Sequence, residues 1–186
     1  WDTSGRQPKS FDVEASYGDD MLLHARSIRG WSNTGGYIHH GHALVLNSVN
    51  SFRWLYHTNE VASRSEAWTV YTNRSVGGAM RGYGMPQASF ADEANIDECA
   101  AAVGMDPLEY RMKFIMPKDY HDAFSGNTNY FDSFRACLEK GRDAMDYDRR
   151  KAEFAKDTGS VRRGIGAASF WYNTGVYPIS LETASN

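Results

Sequence analysis

Four glycines, Gly77, Gly78, Gly82 and Gly84, surround Ala79-Met80-Arg81 and Tyr83 in the stretch Thr72–Gln87. Glycines leave backbone N–H groups unobstructed, and N–H groups that converge on one point stabilise negative charge. Pro86 suits the first turn of a helix, so the loop feeds a helix N-terminus whose dipole has the same preference. Arg81 adds a fixed positive charge with a forked set of donors. Tyr83 adds a ring suited to lie against a planar molecule. Such a loop can cradle an anion or an anionic cofactor. It is not a Walker loop, because no Gly-Lys-Ser/Thr follows, and it does not sit in a Rossmann βαβ pattern. A glycine-rich turn whose arginine merely ties down carbonyls is the alternative, and loop composition alone does not separate the two.

Other chemistry-bearing residues are less telling. His39-His40-Gly41-His42 brings three imidazoles into four residues, a conceivable zinc or copper site. No Cys or acidic ligand is near, and consecutive residues rarely aim at one ion, so a helix-entry segment is the simpler reading. Asp92, Glu93, Asp97 and Glu98 read as the solvated face of a helix, with Asp92 and Glu93 also favouring its N-terminal half. Cys99 and Cys137 fall in separate helical segments without CxxC or Cys/His spacing, and read as free buried thiols in a reducing compartment. Trp171 and Tyr172 read as core.

The elements that must position the loop are legible in the surrounding pattern. Phe11, Val13, Ala15 and Tyr17 alternate with polar neighbours, the period of a half-buried strand. Gly18-Asp19-Asp20 offers a turn and Met21–Ile28 a second strand, which predicts a hairpin broken at Asn33-Thr34-Gly35-Gly36-Tyr37. A helix is expected over Ala43–Tyr56 and a strand over Ala67–Thr72. The glycine stretch itself is expected to be neither helix nor regular strand.

Beyond it, a helix from Pro86 to Val103, with Ile96, Ala100 and Val103 as its apolar stripe, stops at Gly104. Asp106 caps the next helix, with Pro107 as its first residue and Glu109 completing a capping box; Leu108, Met112 and Ile115 are its buried face, and Pro117 ends it. A third helix carries Phe131, Phe134 and Leu138 and ends at Gly141. Met145–Asp157 is a charged, solvated helix and Ile165–Tyr172 a final strand. The class is therefore α+β.

The 186 residues suit one domain or a piece of a larger one, with 41% hydrophobic and 23% charged residues as in a folded globule. Lys plus Arg total 20 against 23 Asp plus Glu, a net charge of −3 that gives no pull toward a nucleic-acid backbone. The apolar runs are too short to span a membrane. No initiator methionine or signal pattern opens the chain, and its last residues follow the start of a strand, so a fragment is expected.

The run GGAMRGYGMPQ, preceded by VYTN and followed by FADEANIDECAAAVGMDPLEYRMKF, closely resembles the molybdenum hydroxylase family of xanthine dehydrogenase and aldehyde oxidase. That family shares a YTN…GA-x-RG-aromatic-G-x-PQ loop followed by a DP-x-E-x-R segment, here Asp106-Pro107-Leu108-Glu109-Tyr110-Arg111. Asn33-Thr34-Gly35-Gly36-Tyr37 is similar to the family's NTGAY turn. Arg162-Arg163-Gly164-Ile165-Gly166 is similar to its re-entry strand.

The resemblance implies that the whole chain, 1–186, is part of a molybdenum-cofactor-binding domain. Residues 1–72 would supply strands and a helix, 73–87 the cofactor loop, 88–157 helices and 158–186 the start of the next strand segment. Gly78, Ala79, Met80, Arg81 and Gly82 would lie against a molybdenum–molybdopterin cofactor, with backbone donors and Arg81 stabilising its electron-rich ligands. Tyr83 would pack on the substrate, and no side chain would ligate the metal directly.

Arg53 falls where some members place a substrate-facing arginine, although its spacing to the loop matches a packing or surface role better. Met80 with Tyr83 points to a bacterial-type enzyme and the cytosine dinucleotide form of the pterin. The implied reaction is hydroxylation of a purine, another N-heterocycle or an aldehyde with water as oxygen source. Electrons would pass to [2Fe-2S] and FAD groups on partner subunits, since no ferredoxin-type cysteine set is present. The family's general-base glutamate lies far downstream, and Glu182 sits in no such motif. Losing that base typically removes about 10²–10⁴-fold in rate, so the chain alone is expected to be inactive. Its partners would be the remaining molybdenum-subunit segments, an iron–sulfur subunit and an FAD subunit, in the cytoplasm. A scaffold of the same fold without cofactor, and a small zinc module on the histidines, are the alternatives.

Overall fold

The computed structural model describes residues 5–19, 23–53, 55–56, 62–122 and 127–172. A two-residue strand β1 (Gly5–Arg6) leads into β2 (Lys9–Tyr17), which pairs antiparallel with the long β3 (Leu23–Gly35) from Lys9 opposite Ser32 to Tyr17 opposite Leu23. This is the expected hairpin, although residues 20–22 of its turn lie outside the described residues. β3 runs on through Gly35, past the start of the expected break. Helix α1 (Gly41–Ser51) then crosses the sheet, and β4 (Ala62–Tyr71) returns parallel to β3, so the sheet order is β2-β3-β4. α1 starts two residues earlier than expected and ends before Phe52, and β4 begins at Ala62 rather than Ala67.

α1 covers one face of this sheet. Ile28, Val49, Phe52 and Ala88 are buried there, with Phe11, Val13 and Ala67 against them. Gly30 is required at the contact, because a Cβ there would lie 2.7 Å from the Val49 side chain. The other face carries the stacked Trp31 and Trp68 rings, 5.1 Å apart.

The glycine stretch contains a short strand after all. β5 (Gly77–Gly78) pairs parallel with β1, Gly5 opposite Gly77 and Arg6 opposite Gly78. Helix α2 (Met85–Ala102) follows, and then α3 (Pro107–Phe114). Asp106 caps α3 as expected, its Oδ1 accepting from the Leu108 and Glu109 N–H groups at 2.8 and 3.1 Å. Among the described residues the Glu109 side chain makes no return bond; Asp106 Oδ2 is held instead by Lys151. A small hairpin, β6 (His121–Asp122) with β7 (Asn127–Thr128), precedes α4 (Ser133–Met145) and α5 (Tyr147–Phe154). α4 passes through Gly141. A second core joins Tyr56, Ile96, Leu108, Tyr110, Phe114 and Leu138.

Several expectations are corrected. Asp92 and Glu93 are not on a solvated face: both are buried, Asp92 bonded to Arg26 Nη1 at 3.0 Å and Glu93 to Arg111 Nη2 at 2.7 Å. Asp97 and Glu98 are exposed as expected, yet Asp97 still accepts from Arg111 Nη1 at 2.6 Å. Residues 165–172 pair with no strand among the described residues, although burial still alternates and Ile165, Ala167 and Trp171 face the second core. Tyr172 is exposed rather than core, Phe131 is exposed and lies before α4 rather than on it, and Met112 is half-buried. Cys99 is buried and free, but Cys137 is exposed, because α4 buries only Leu138 fully. Trp54, Glu182 and the chain's last residues lie outside the described residues. No described helix is long and apolar enough to cross a membrane.

Candidate functional site

The loop 79–84 is held from two sides. On one side stand the first residues of the chain. Gln7, almost fully buried, donates through Nε2 to Gly77 O at 3.1 Å and accepts from Ser32 Oγ at 2.5 Å. Gln87 Nε2 donates to Gln7 O at 2.8 Å, and Arg6 Nη2 donates to Arg81 O at 2.7 Å. On the other side stands one face of α1. His40, Leu44, Asn47 and Ser48 fall at i, i+4, i+7 and i+8, the spacing of a single helix face. Asn47 Nδ2 donates to Tyr83 O at 2.8 Å, Ser48 Oγ lies 3.0 Å from Gly84 O, and His40 Nδ1 is 3.1 Å from the Tyr83 hydroxyl.

The backbone between these supports is unusual. Gly82, Tyr83 and Gly84 have φ of +93°, +43° and +92°, three left-handed residues in succession. Glycine tolerates that region freely, whereas Tyr83 does so at a steric cost. At Gly84 a Cβ would lie 2.5 Å from Leu44 O and from Ser48 Oγ, so only glycine fits. Turn bonds from Tyr83 N to Met80 O and from Met85 N to Gly82 O, both 2.8 Å, complete the loop before α2 begins.

The loop's middle faces outward. Ala79, Met80 and Arg81 are exposed, Gly77 and Gly78 are buried, and Gly82 and Tyr83 are half-buried. Among the described residues the Arg81 guanidinium has no hydrogen-bond or ion-pair partner. A small cleft beneath the loop is lined by Arg6, Lys9, Gly78, Met80, Gly84 and Gln87, and no carboxylate lines it. The Lys9 ammonium donates to Leu44 O at 2.7 Å and to Ser48 Oγ. Burial, with a smaller contribution from the Arg6 charge, pulls its pKa down to about 7. Gln87 Oε1 is buried without a partner among the described residues. The Arg6 and Arg81 guanidinium groups, the exposed backbone of residues 79–81 and an acceptor open to a donor at Gln87 Oε1 suit an anionic, hydrogen-bonding cofactor.

The six residues singled out in the sequence thus form one continuous shelf. His40, Asn47, Lys9 and Gln7 were not singled out as supports, because only the fold brings them beneath it. The histidine cluster does not converge: the His39 and His40 rings meet edge to face at 4.9 Å, and His40 turns to Tyr83. Among the described residues no group of three His, Cys, Asp or Glu side chains could hold a metal. Arg53 is half-buried in the turn after α1.

Below the loop, two buried ion pairs fix α2. Arg26 reaches Asp92 and also donates to Phe52 O, tying α2 to β3 and to the end of α1. Arg111 of α3 is fully buried and bonds Glu93, Asp97, Pro107 O and Glu93 O. Burial works against its charge, but the Glu93 and Asp97 carboxylates outweigh that and hold the guanidinium above its ordinary value. The Tyr56 hydroxyl donates to Glu93, and burial first, then the Glu93 charge, keeps that phenol protonated.

Residues 2–115 match the molybdopterin cofactor-binding domain model. The chain belongs to that family. Over 182 residues it is 36% identical to the xanthine dehydrogenase molybdenum-binding subunit of Escherichia coli O157:H7, an alignment of 98% of this chain and 24% of that protein. It is 29% identical over 175 residues to the aldehyde oxidoreductase of Megalodesulfovibrio gigas, covering 94% of this chain and 19% of that one. Among solved structures, the aldehyde oxidoreductase from Desulfovibrio gigas superposes with a TM-score of 0.73 at 27% identity, covering 84% of this chain and 17% of that one. The α+β architecture is therefore that of part of a molybdenum-cofactor-binding domain. The chain spans about a quarter of the length of the first of these relatives.

Proposed function

We propose that this chain forms one wall of the cofactor site in a molybdenum hydroxylase that oxidises a purine, another N-heterocycle or an aldehyde. Gly78, Ala79, Met80, Arg81 and Gly82 hold the molybdenum–molybdopterin cofactor, and Tyr83 lies on the substrate side. The observation that carries this reading is the exposed Arg81, whose guanidinium has no partner among the described residues, on a glycine-rich loop beside a cleft that Arg6 and Lys9 line and no carboxylate does. Similarity to a xanthine dehydrogenase molybdenum-binding subunit and to an aldehyde oxidoreductase supports it.

When bound, the cofactor supplies the two-electron redox chemistry and the activation of water. The protein's part is positional and electrostatic. Arg81 and the loop N–H groups stabilise negative charge on the cofactor without reorganising. Lys9 ties β2 to α1 through Leu44 O and Ser48 Oγ, and Ser48 in turn bonds Gly84 O of the loop. The Tyr83 ring orients a flat substrate, a contact worth about 0.5–1.5 kcal/mol beyond area burial.

The general base comes from outside this chain, so the isolated polypeptide does not turn over. Whole activity needs the remaining molybdenum-subunit segments together with iron–sulfur and FAD subunits in the cytoplasm. The pterin is expected in its cytosine dinucleotide form. Molybdenum analysis of the native assembly with and without Arg81→Ala tests the assignment. Stoichiometric molybdenum that falls, or activity that is lost, in the variant supports it; an assembly without molybdenum, or one indifferent to Arg81, favours a cofactor-free scaffold.

A further inference from the structure

Tyr83 is the one non-glycine residue in a run of three left-handed positions, so something must hold it there. Two side chains from one face of α1 do. His40, at the N-cap, reaches the Tyr83 hydroxyl with Nδ1 at 3.1 Å, and its ring meets the phenol edge to face at a centroid distance of 6.0 Å. Asn47, seven residues and so two helical turns later, donates through Nδ2 to the Tyr83 carbonyl at 2.8 Å. One contact fixes the tip of the side chain and the other the backbone beneath it. A side chain held at its hydroxyl, on a backbone held at its carbonyl, has little rotational freedom left. Its hydroxyl is already engaged with an imidazole, so the group it offers outward is the ring.

We propose that His40 and Asn47 are positioning residues that act through Tyr83, fixing its ring as the aromatic wall of the substrate pocket; this rests on the cofactor-site reading of the loop. The histidine cluster thereby gains a role other than metal binding: His40 belongs to the pocket's supporting shell, and the ligand class it serves is a flat ring presented to Tyr83. Replacing His40 leaves the cofactor shelf at Gly78–Gly82 in place but frees the ring. The consequence is a weaker hold on the substrate rather than a loss of cofactor.

The test uses the complete molybdenum-containing assembly, with xanthine and benzaldehyde as probes. Tyr83→Phe, Tyr83→Ala, His40→Ala, Asn47→Ala, His40→Gln and the double variant His40→Ala/Tyr83→Phe are compared for molybdenum content, KM, kcat and amide hydrogen exchange over residues 79–87. Losing one neutral hydrogen bond corresponds to about a 5-fold effect. His40→Ala and Tyr83→Phe are each expected to raise KM and loop exchange by about that factor, with molybdenum and kcat nearly unchanged. The double variant should be no worse than either single change, because both break the same contact. His40→Gln, which keeps a polar atom on the side chain, should recover most of the loss, and Asn47→Ala should raise loop exchange independently.

If His40→Ala leaves KM and loop exchange unchanged while molybdenum is retained, or if its effect adds to that of Tyr83→Phe, the positioning role is overturned. An assembly that lacks molybdenum, or whose KM is indifferent to Tyr83→Ala, overturns the reading of the loop itself and this inference with it.

Discussion

Arg111 offers the sharpest test of how this fold is held, because it is a fully buried cation with four hydrogen bonds to named partners. Arg111→Met keeps the aliphatic stem and removes the guanidinium. It deletes the bonds to Glu93 Oε2 at 2.8 Å, Asp97 Oδ1 at 2.6 Å, and the Pro107 and Glu93 carbonyls at 3.1 Å. The Asp97 bond contributes least, since that carboxylate side chain is 56% exposed and water replaces the partner; Asp97→Asn alone should cost under about 1 kcal/mol. Glu93 decides the outcome. Its side chain is 9% exposed, and without Arg111 the partner left to it among the described residues is the Tyr56 hydroxyl.

Stranding one member of a buried pair costs about 3–5 kcal/mol. At about 1.4 kcal/mol per power of ten, amide protection in α2 and α3 should fall about 10²- to 10⁴-fold. Hydrogen exchange on the subunit that contains this chain reads this directly. The double variant Glu93→Gln/Arg111→Met replaces the stranded charge by an amide that still accepts from Tyr56, and should recover more than half of the loss. Protection within threefold of wild type in Arg111→Met, or a double variant less protected than the single one, would refute the argument that the pair is held by charge compensation rather than by packing.

Further outcomes follow from the loop and its supports. Gly84→Ala places a methyl group 2.5 Å from Leu44 O in a backbone with φ of +92°, and should raise exchange over residues 79–87 while leaving α3 unaffected. Lys9 binds a proton less readily folded, at a pKa of about 7, than unfolded, at 10.5, so the unfolded chain holds more protons between those values. Stability should therefore rise from pH 7 to 10 relative to Lys9→Met, by an amount on the order of a few kcal/mol, and a pH-independent difference in denaturant midpoints would contradict this. Cys99 is buried with its thiol pKa raised, by burial above all, and should resist alkylation by iodoacetamide until the subunit unfolds.

Local signals and long-range ones were not equally legible. The hairpin, the Asp106-Pro107 helix start and the glycine loop are each encoded within a few neighbouring residues, and each is found in the fold. Asp92 and Glu93 read as solvated because acidic residues in an open helix pattern usually are. Their partners, Arg26 and Arg111, lie 66 and 18 residues away, and no local pattern announces them. Residues 165–172 show why periodicity is not pairing: side chains alternate inward and outward, yet a strand also needs a neighbour's backbone. His40 and Asn47 were hidden for the same reason as Arg26, since the turn that brings α1 against Tyr83 is a product of the whole sheet. The six residues expected to bind cofactor and substrate form one shelf because they are consecutive; their role there is the proposal that molybdenum analysis tests.

The parallel bridge between Gly5–Arg6 and Gly77–Gly78 has a consequence for the order of folding. The foot of the loop is fastened to the start of the chain across more than seventy residues, through the strand pairing, Gln7 and Gln87. Closing so long a span carries an entropic cost that only completed non-local contacts offset. The hairpin and helix α1 can form from neighbouring residues first, whereas the foot of the loop is secured only when residues 5–7 meet residues 77–87. A chain in which residues 5–7 are displaced would therefore lose the support under the loop before it lost the hairpin or α1.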